Sequence, residues 1–460
     1  MLFPTVTFAI FFSIVLPVSW ALMPYQRAWR AWIVLASYVF YAWWDWHFVL
    51  LLAASTVVNH VVAVGIHRAA GLRTRKALLA LALAFDLGLL GYFKYANFFL
   101  SSVDNAIGTS WIAHVVLPVG ISFFTFMAIS YVVDTYRGEV VPASFARFAV
   151  FQAFFPHLVA GPIVRASELL PQLESPRDPR RVDVSRAFVL IVSGLFLKVV
   201  IANHLATHIV DDVFAAPNRH SSLEVLVAVY GYAVQIFADF CGYTNIAIGV
   251  ALLLGFEFPQ NFASPYAAVS LQDFWRRWHM TLSRWLRDYL YIPLGGNRKG
   301  RLLTYRNLML TFVLGGLWHG AAWTFIVWGA IHGIGLSVER ALGLRPTRPA
   351  TRWLGRIVTF HVVCFAWIFF RADSFGSAGQ VIVRLVDAWG RPSPLVTTSV
   401  VLAIAVGILA QFVSPAAVGA FVRGFGRLPV LAKAATVGVC LMLINTLGPE
   451  GVAPFIYFRF

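Results

Sequence analysis

Long apolar runs alternate with short polar segments along most of this chain. Most runs are about 18 to 25 residues, the length that a helix needs to cross roughly 30 Å of hydrocarbon. The predicted spans are residues 5–23, 29–44, 47–66, 77–100, 112–133, 186–210, 223–256, 305–318, 321–338, 357–370, 396–418 and 430–447. The short alternating segments typical of outer-membrane barrels do not occur in this sequence. The pattern predicts an all-α polytopic membrane protein with a single membrane domain covering residues 1–460.

The apolar run at residues 145–164 differs from the others because Pro156, Gly161 and Pro162 interrupt it. Such backbone is tolerated at membrane depth only where protein or a water-filled cavity covers it. We therefore expect a broken or re-entrant segment here.

Composition supports a membrane protein, since 59% of the 460 residues are hydrophobic and 12% are charged, with a mean hydropathy of +0.75. Residues 5–23 follow no charged region and precede no small-residue cleavage site, so we predict a retained first span. The three cysteines lie in apolar contexts without ligand spacing, which predicts small core residues and no metal site.

The net charge of +16 comes largely from arginines in short loops between apolar runs. This distribution is better explained by the positive-inside rule than by binding to nucleic acid. We therefore expect no nucleic-acid partner. The basic loops lie at residues 27–30, 68–76, 137–147, 165–186, 276–306, 340–356 and 423–433. The only lysine or arginine residues in loops 101–111, 211–222 and 372–394 are Arg219, Arg384 and Arg391. We expect the basic ends to be cytoplasmic and both termini to be periplasmic.

A basic, tryptophan-rich segment at residues 274–291 is the first candidate for chemistry. Apolar residues recur there at spacings of three and four, which predicts one continuous amphipathic helix lying in the membrane interface. They are Trp275, Trp278, Leu282, Trp285 and Tyr289. Anchoring to lipid headgroups alone would explain such a helix. His279 follows Trp278, and a titratable group at this buried position suggests a further role.

The next residues form a glycine-rich loop, PLGGNRKG at 293–300. Exposed backbone N–H groups and the cations Arg298 and Lys299 suit the phosphates of a ligand. The pattern alone is weak, because a Gly-Gly turn after a helix is common. Residues 268–300 are predicted to form a cytoplasmic interfacial helix and loop within the membrane domain.

His319 lies in an apolar run between Gly315-Gly316 and Gly320. Small residues let helices approach closely and leave room for a ligand beside the imidazole. A histidine bonded to a backbone carbonyl would be the structural alternative. Ionisable groups at membrane depth are nevertheless functional candidates, and imidazole is the usual general base near pH 7.

Other polar residues compete for a place in the same site. His157 lies at the interrupted segment and His332 lies thirteen residues after His319, so either can line a cavity or fill a helix contact. Asp239, Tyr243 and Asn245 are polar groups in one apolar span, where they can bond one another or line a path. No nucleophile elbow, HExxH, P-loop or dinucleotide-binding fingerprint occurs in a suitable context.

These segments resemble the membrane-bound O-acyltransferase (MBOAT) family. Within the family, the chain looks most like the bacterial branch that serves alginate O-acetylation and the D-alanylation of teichoic acid. The similar segments are FFPHLVAGPI at 154–163, FADFCGYTNIAIG at 237–249, QNFASPY at 260–266, residues 274–300, GLWHGAAWTFIVWGAIHG at 316–333 and PFIYFRF at 454–460.

The resemblance implies a ring of about 11 to 13 transmembrane and re-entrant helices around a funnel. It places the catalytic histidine of the family at His319. From its own position in the sequence, His279 is expected in a supporting role, orienting the donor or assisting proton transfer. Arg298, Lys299 and Trp318 are then expected beside the donor, acetyl-CoA from the cytoplasm. The acceptor is expected to be an extracytoplasmic polysaccharide such as alginate, reached through separate periplasmic acetyltransferase partners across a bacterial inner membrane.

Three alternatives stay open. The first is a donor that carries another acyl group, such as D-alanyl on a carrier protein or a fatty acyl group for a lipid or protein. The second concerns the mechanism, in which His319 acts either as a general base or as a nucleophile that forms an acyl-histidine intermediate. A non-enzymatic transporter is a remote alternative, since broken helices and intramembrane histidines also occur in transporters.

Overall fold

The computed structural model describes residues 1–107, 115–344 and 347–449, and these ranges form helices and loops without a β-strand. The helices of the first half are α1 Val6–Leu22, α2 Gln26–Ala42, α3 His47–Arg68, α4 Leu72–Leu90, α5 Ala96–Ile107, α6 Ile121–Arg137, α7 Phe145–Ala153, α8 Phe155–Leu158, α9 Ala166–Leu169, α10 Val184–Leu195, α11 Asn203–Leu205 and α12 Asp211–Ala215. The second half contains α13 Ser222–Leu253, α14 Leu271–Trp275, α15 Met280–Leu286, α16 Arg301–His319, α17 Trp323–Leu342, α18 Pro349–Arg371, α19 Phe375–Asp387, α20 Thr398–Leu409, α21 Pro415–Arg427 and α22 Val430–Leu447.

Seven helical segments in the described ranges are long and apolar enough to cross a membrane. They are His47–Arg68, Leu72–Asp104, Val184–Ala215, Ser222–Leu253, Trp323–Leu342, Pro349–Arg371 and Val430–Leu447. The prediction of an all-α polytopic membrane protein is confirmed. The prediction of a single membrane domain stays a prediction, because residues 1–460 are not described throughout.

The predicted spans at 5–23, 29–44 and 305–318 form the helices α1, α2 and α16, which are not among these seven. Two further predicted spans need correction. The span at 396–418 is a bent pair, Thr398–Phe412 and Pro415–Arg427, which meet at 96°. Pro415 causes the break, because proline cannot continue the preceding helix but suits the first position of the next one. The span at 112–133 starts later, at Ile121, after Pro118 and a left-handed Gly120. Residues 112–114 of that prediction lie outside the described residues.

The chain divides into two compact units, and the first comprises residues 1–187 and 247–259. Its helices α3, α4 and α6 enclose a polar cluster in which the Asn59 amide donates to Asp86 at 2.9 Å. The interrupted apolar run lies in the same unit. Helix α7 ends at Ala153, a non-helical Phe154 follows, and Pro156 then opens the short helix α8. The prediction of a broken segment is confirmed.

The second unit comprises residues 188–246 and 260–460. It contains most of the predicted site. Its longest element is the buried helix α13, and the helices α16 and α17 form an antiparallel pair joined by only three residues, 320–322. The close approach of these two helices positions His319, as described next.

Candidate active site

His319 is the last residue of helix α16, and the extended backbone of Gly320 ends the helix there. Only 3% of the residue is exposed. Three aromatic rings surround the imidazole: Trp318 and Trp328 with centroids at 5.0 Å and Phe370 at 5.4 Å. A dry aromatic surrounding of this kind strengthens any hydrogen bond that the imidazole makes to a reacting group.

Glycines bring the helices α16 and α17 together beside this histidine. A Cβ at Gly316 would collide with the carbonyl oxygen of Phe325, and one at Gly329 would collide with that of Phe312. Small residues at such positions permit backbone contact between membrane helices. The contact presents Trp328 to the His319 ring. The small residues around His319 had predicted the close approach of the helices, and room for a ligand beside the imidazole stays a prediction.

His279 lies between the short helices α14 and α15, outside the candidate spans. Its backbone is left-handed, with φ of 43° and ψ of 53°, which is uncommon for a residue other than glycine and is often found at functional sites. The residue is fully buried. Burial lowers the pKa of His279 to about 3, so its imidazole is neutral near pH 7.

The structure brings His279, Trp318 and His319 together. The His279 ring centroid lies 6.3 Å from that of His319 and 6.1 Å from that of Trp318. The edge-to-face contact of Phe240 with His279, at 4.6 Å, holds the ring from another side. The two histidines of the predicted site are thus close neighbours in one buried aromatic cluster.

Asn261 is the hydrogen-bond partner of His279. The His279 Nδ1 lies 3.2 Å from the Asn261 side-chain oxygen. The same oxygen accepts from the backbone N–H of Thr281 at 3.2 Å and from the Thr281 hydroxyl at 2.9 Å. Among the described residues, the buried Nε2 of His279 has no hydrogen-bond partner.

The prediction of one continuous helix over residues 274–291 is wrong. Helix α14 ends at Trp275, residues 276–279 form a turn, and α15 starts at Met280. The turn exchanges backbone hydrogen bonds with residues 261–263: Met280 donates to Asn261, and Ala263 donates to Arg277, both at 2.9 Å. These long-range bonds override the helical periodicity. The apolar positions Trp275, Trp278, Leu282 and Trp285 are nevertheless buried.

The predicted donor-binding cations lie at the opposite end of helix α16 from His319. Arg298 and Lys299 are exposed on the loop that precedes the helix. This loop borders a cavity of about 660 Å³, to which Asn297 contributes. The other polar lining residues, which sequence did not single out, are Ser270, Gln272, Arg287, Tyr291, Glu339 and Arg340.

The charged side chains that line this cavity differ in whether other groups of the protein already bind them. Arg287 forms a two-bond ion pair with Asp288, at 2.6 and 3.0 Å. Glu339 accepts hydrogen bonds from the backbone N–H groups of Leu271 and Gln272. The exposed Arg340 side chain forms no hydrogen bond or ion pair within the part of the chain that the structure describes. Of the two arginines in the cavity lining, Arg340 is thus more available to an anionic ligand than Arg287.

The predicted polar residues of helix α13 are Asp239, Tyr243 and Asn245. Asp239 pairs with the buried Lys198 at 2.5 Å, a partner that sequence did not predict. Tyr243 is buried, whereas Asn245 is partly exposed. Pairing offsets part of the cost of burying each charge alone. Cavity roles for these residues stay predictions.

His157 is buried in the first unit. Its Nε2 lies 2.9 Å from the carbonyl oxygen of Phe151, and its ring stacks on Phe258 at 5.3 Å. This is the carbonyl-bonded arrangement of a packed histidine. His332, in the second unit, accepts a hydrogen bond from the Trp275 indole at 3.3 Å and contacts Trp328. A cavity role for either residue stays a prediction.

The fold and the site define a polytopic membrane protein with two buried histidines facing one another at the end of a helix pair. The sequence model of the MBOAT, membrane-bound O-acyltransferase family, matches residues 22–377. The chain belongs to this family and is an O-acyltransferase.

Individual relatives are similar over most of their length. The probable alginate O-acetylase AlgI of Pseudomonas aeruginosa is 45% identical over 367 residues, which cover 77% of this chain and 68% of that protein. The peptidoglycan O-acetyltransferase of Helicobacter pylori is 41% identical over 394 residues, 78% of this chain and 74% of that protein. The teichoic acid D-alanyltransferase of Bacillus subtilis is 30% identical over 280 residues, 56% of this chain and 69% of that protein.

Sequence reasoning found the histidines but missed much of their surroundings. Trp328, from the next helix, and Phe370, from helix α18, pack on His319, and Phe240 from helix α13 packs on His279. Asn261 lies in the segment QNFASPY, whose resemblance to the family was the available signal, although no role followed from it. Apolar residues in apolar spans give no local signal of this kind.

Proposed function

We propose that the chain transfers an acetyl group from acetyl-CoA to a hydroxyl group on the extracytoplasmic side of a bacterial inner membrane, in the O-acetylation of a polysaccharide such as alginate. The observation that carries the proposal is the buried pair His279 and His319, 6.3 Å apart. The names of the alginate and peptidoglycan relatives support an acetyl group and a polysaccharide acceptor.

In the proposed reaction, His319 accepts the proton of the attacking hydroxyl. The hydroxyl oxygen forms a bond to the thioester carbonyl carbon, the carbon–sulfur bond breaks, and the thiolate leaves. The protonated His319 then returns the proton to the thiolate, so charge balances over the step. A neutral imidazole suits this role, and positioned proton transfer accelerates reactions by about 10²- to 10⁴-fold. Exclusion of water by the aromatic residues limits hydrolysis of the thioester.

The cytoplasmic cavity beside the basic loop is the proposed entry site for the donor. Arg298, Lys299 and Arg340 offer positive charge for the phosphates of acetyl-CoA. The cavity lining includes Leu308, which lies eleven residues before His319 in helix α16. At 1.5 Å per residue this is roughly 16 Å along the helix axis, a separation that an extended donor arm would have to cover.

Periplasmic partner proteins are proposed to complete transfer to the polymer. The described loops on the predicted periplasmic side are short, as between the helices α12 and α13 or α18 and α19. Such loops offer little surface for holding a long polymer. A strain that lacks the neighbouring acetylation genes should therefore leave its polysaccharide unacetylated when this protein alone is present, and full acetylation would contradict the partner proposal.

Loss of acetyl transfer in His319→Ala tests the central proposal. The purified variant in lipid nanodiscs should neither transfer nor hydrolyse the acetyl group of radiolabelled acetyl-CoA. His47→Ala is the matched control, because His47 is an exposed histidine whose side chain is 65% accessible. Full activity of a folded His319→Ala protein would overturn the assignment.

A D-alanyl donor is the second candidate, favoured by the 30% identity to a teichoic acid D-alanyltransferase. Competing acetyl-CoA against a D-alanyl carrier-protein thioester separates the two candidates in one reaction. Exclusive use of the carrier-bound group would exclude acetyl-CoA as the donor. Hydroxylamine-sensitive label on the acid-quenched protein would indicate an acyl-histidine intermediate in place of a general base.

A further inference from the structure

We infer that Asn261 is a positioning residue that fixes the ring tautomer of His279, with the proton on Nδ1 and a free lone pair on Nε2. Only the expected effect of Asn261 on the rate of acyl transfer rests on the proposed function. The tautomer itself follows from the hydrogen bonds around one amide oxygen.

The orientation of the Asn261 amide is set by Thr281. A backbone N–H can only donate, and the N–H of Thr281 points to the Asn261 side-chain atom at 3.2 Å. That atom must therefore be the oxygen and not the amide nitrogen. The Thr281 hydroxyl, 2.9 Å away, can donate to the same oxygen.

The protonation of His279 follows from this orientation. Its Nδ1 lies 3.2 Å from the Asn261 oxygen, and two acceptors cannot form a hydrogen bond with each other. Nδ1 must carry the proton. In the neutral imidazole the other nitrogen, Nε2, then has no proton and can only accept.

The left-handed backbone at His279 supports the same arrangement. Met280 donates its backbone N–H to the Asn261 carbonyl oxygen at 2.9 Å. Asn261 thus fixes the turn through its backbone and the His279 ring through its side chain. Such a backbone conformation in a residue other than glycine persists only where its surroundings impose it. Asn261 is itself only 1% exposed, so water does not readily replace its amide.

The chemical consequence is a restricted role for His279. An imidazole with a bare Nε2 can accept a hydrogen bond from an acceptor hydroxyl or from an N–H of His319. It cannot donate one to the carbonyl oxygen of the thioester. His279 is thereby suited to orient a proton donor and unsuited to stabilise the developing oxyanion.

Nitrogen-15 NMR of histidine-labelled protein in lipid bilayers reads the tautomer without any need for activity. The His279 signals are identified by their absence in His279→Gln. We expect a protonated Nδ1 and a bare Nε2 in the wild type near pH 7, and a proton on Nε2 would overturn the inference. If the tautomer is as expected but no acyl transfer occurs with any donor, the proposed function fails and the inference stands.

Variants of Asn261 link the tautomer to the rate. In Asn261→Leu the acceptor is lost, so the Nδ1–H signal should weaken and kcat should fall about 100-fold, with KM changed less than about twofold. Asn261→Asp keeps an acceptor oxygen and should restore the Nδ1–H signal and most of the rate. Its added negative charge should also raise the pKa of His279 and move the acid limb of the pH profile upward.

A structural control separates this role from loss of folding. Asn59→Leu removes a second fully buried asparagine, which bonds Ser55 and Asp86 in the first unit. It should destabilise the protein without altering the His279 signals or the kcat of the folded fraction. Equal rate loss in Asn261→Asp and Asn261→Leu, with an unchanged tautomer in both, would refute the positioning role.

Discussion

His279 and His319 differ in what their surroundings permit. His319 ends a helix, and aromatic rings surround it, whereas His279 is held in a left-handed turn by Asn261. Neither imidazole is free to exchange roles with the other, because the bare Nε2 of His279 can accept but cannot donate. In the proposed reaction, His319 accepts the proton of the hydroxyl group, and His279 orients the group that donates it.

We predict that His279→Gln lowers kcat about 100-fold while KM for acetyl-CoA changes little, because the variant removes a group that orients proton transfer. Steady-state kinetics in nanodiscs provide the measurement. A KM increase at constant kcat would indicate a role in donor binding instead.

Arg340 offers a residue-scale test of donor recognition. We predict that Arg340→Gln raises KM for acetyl-CoA about tenfold, because one exposed cation is lost at the cavity. KM for S-acetylpantetheine, which has no phosphate, should not change. Arg352→Gln is the matched control, as an exposed arginine on helix α18 outside the cavity lining. Equal effects on both thioesters would exclude phosphate recognition by Arg340.

At the scale of elements, the contact between the helices α16 and α17 positions His319. Backbone contact at Gly316 and Gly329 leaves no room for a methyl group. A spreading of the two helices would move Trp328 away from the His319 ring, which it contacts at 5.0 Å. The activity of the site therefore depends on two glycines that do not contact the substrate in the proposed reaction.

We predict that Gly329→Ala destabilises the protein by about 1 to 3 kcal/mol, as expected for overpacking, and lowers kcat. Gly438→Ala is the control: its Cβ meets no atom within 4 Å, and alanine in a helix is favoured over glycine by about 0.5 to 1 kcal/mol. Thermal unfolding in detergent measures both effects. An unchanged melting temperature for Gly329→Ala would show that the helices tolerate separation.

The hydrophobic pattern predicted elements well where one run corresponds to one helix. The span at 430–447 matches helix α22 at both ends, and the interruption around Pro156 matches a real break. The pattern failed at 274–291 because its three-and-four spacing is preserved across a turn. Backbone bonds from residues 261–263 impose that turn, and no local periodicity reports a partner so distant in sequence.

At the scale of the molecule, the predicted site residues come from separate parts of the chain. His279 and His319 were predicted from their unusual places in apolar segments and from the family resemblance. Asn261, Phe240 and Trp328 were not, because an amide or an aromatic side chain is unremarkable until a histidine lies beside it. A reactive side chain can be predicted from its residue type in the sequence. The residues that orient it are harder to predict, because their contacts form only in the folded protein.

The orientation of the chain in the membrane yields the last prediction. The basic loop at 340–356 is expected in the cytoplasm and the loop at 372–394 on the opposite side, with the candidate span Pro349–Arg371 between them. Arg348→Cys and Arg391→Cys place single exposed thiols on the two sides. The background requires only Cys440→Ala, because Cys241 and Cys364 are buried.

In whole cells with a permeabilised outer membrane, a membrane-impermeant maleimide should label Arg391→Cys and not Arg348→Cys. Inverted inner-membrane vesicles should give the opposite result, and both thiols should react in detergent. Labelling of both from the same side would mean that Pro349–Arg371 does not cross the membrane. A reversed pattern would place the donor cavity on the periplasmic side, where acetyl-CoA is not expected, and would contradict the proposed direction of transfer.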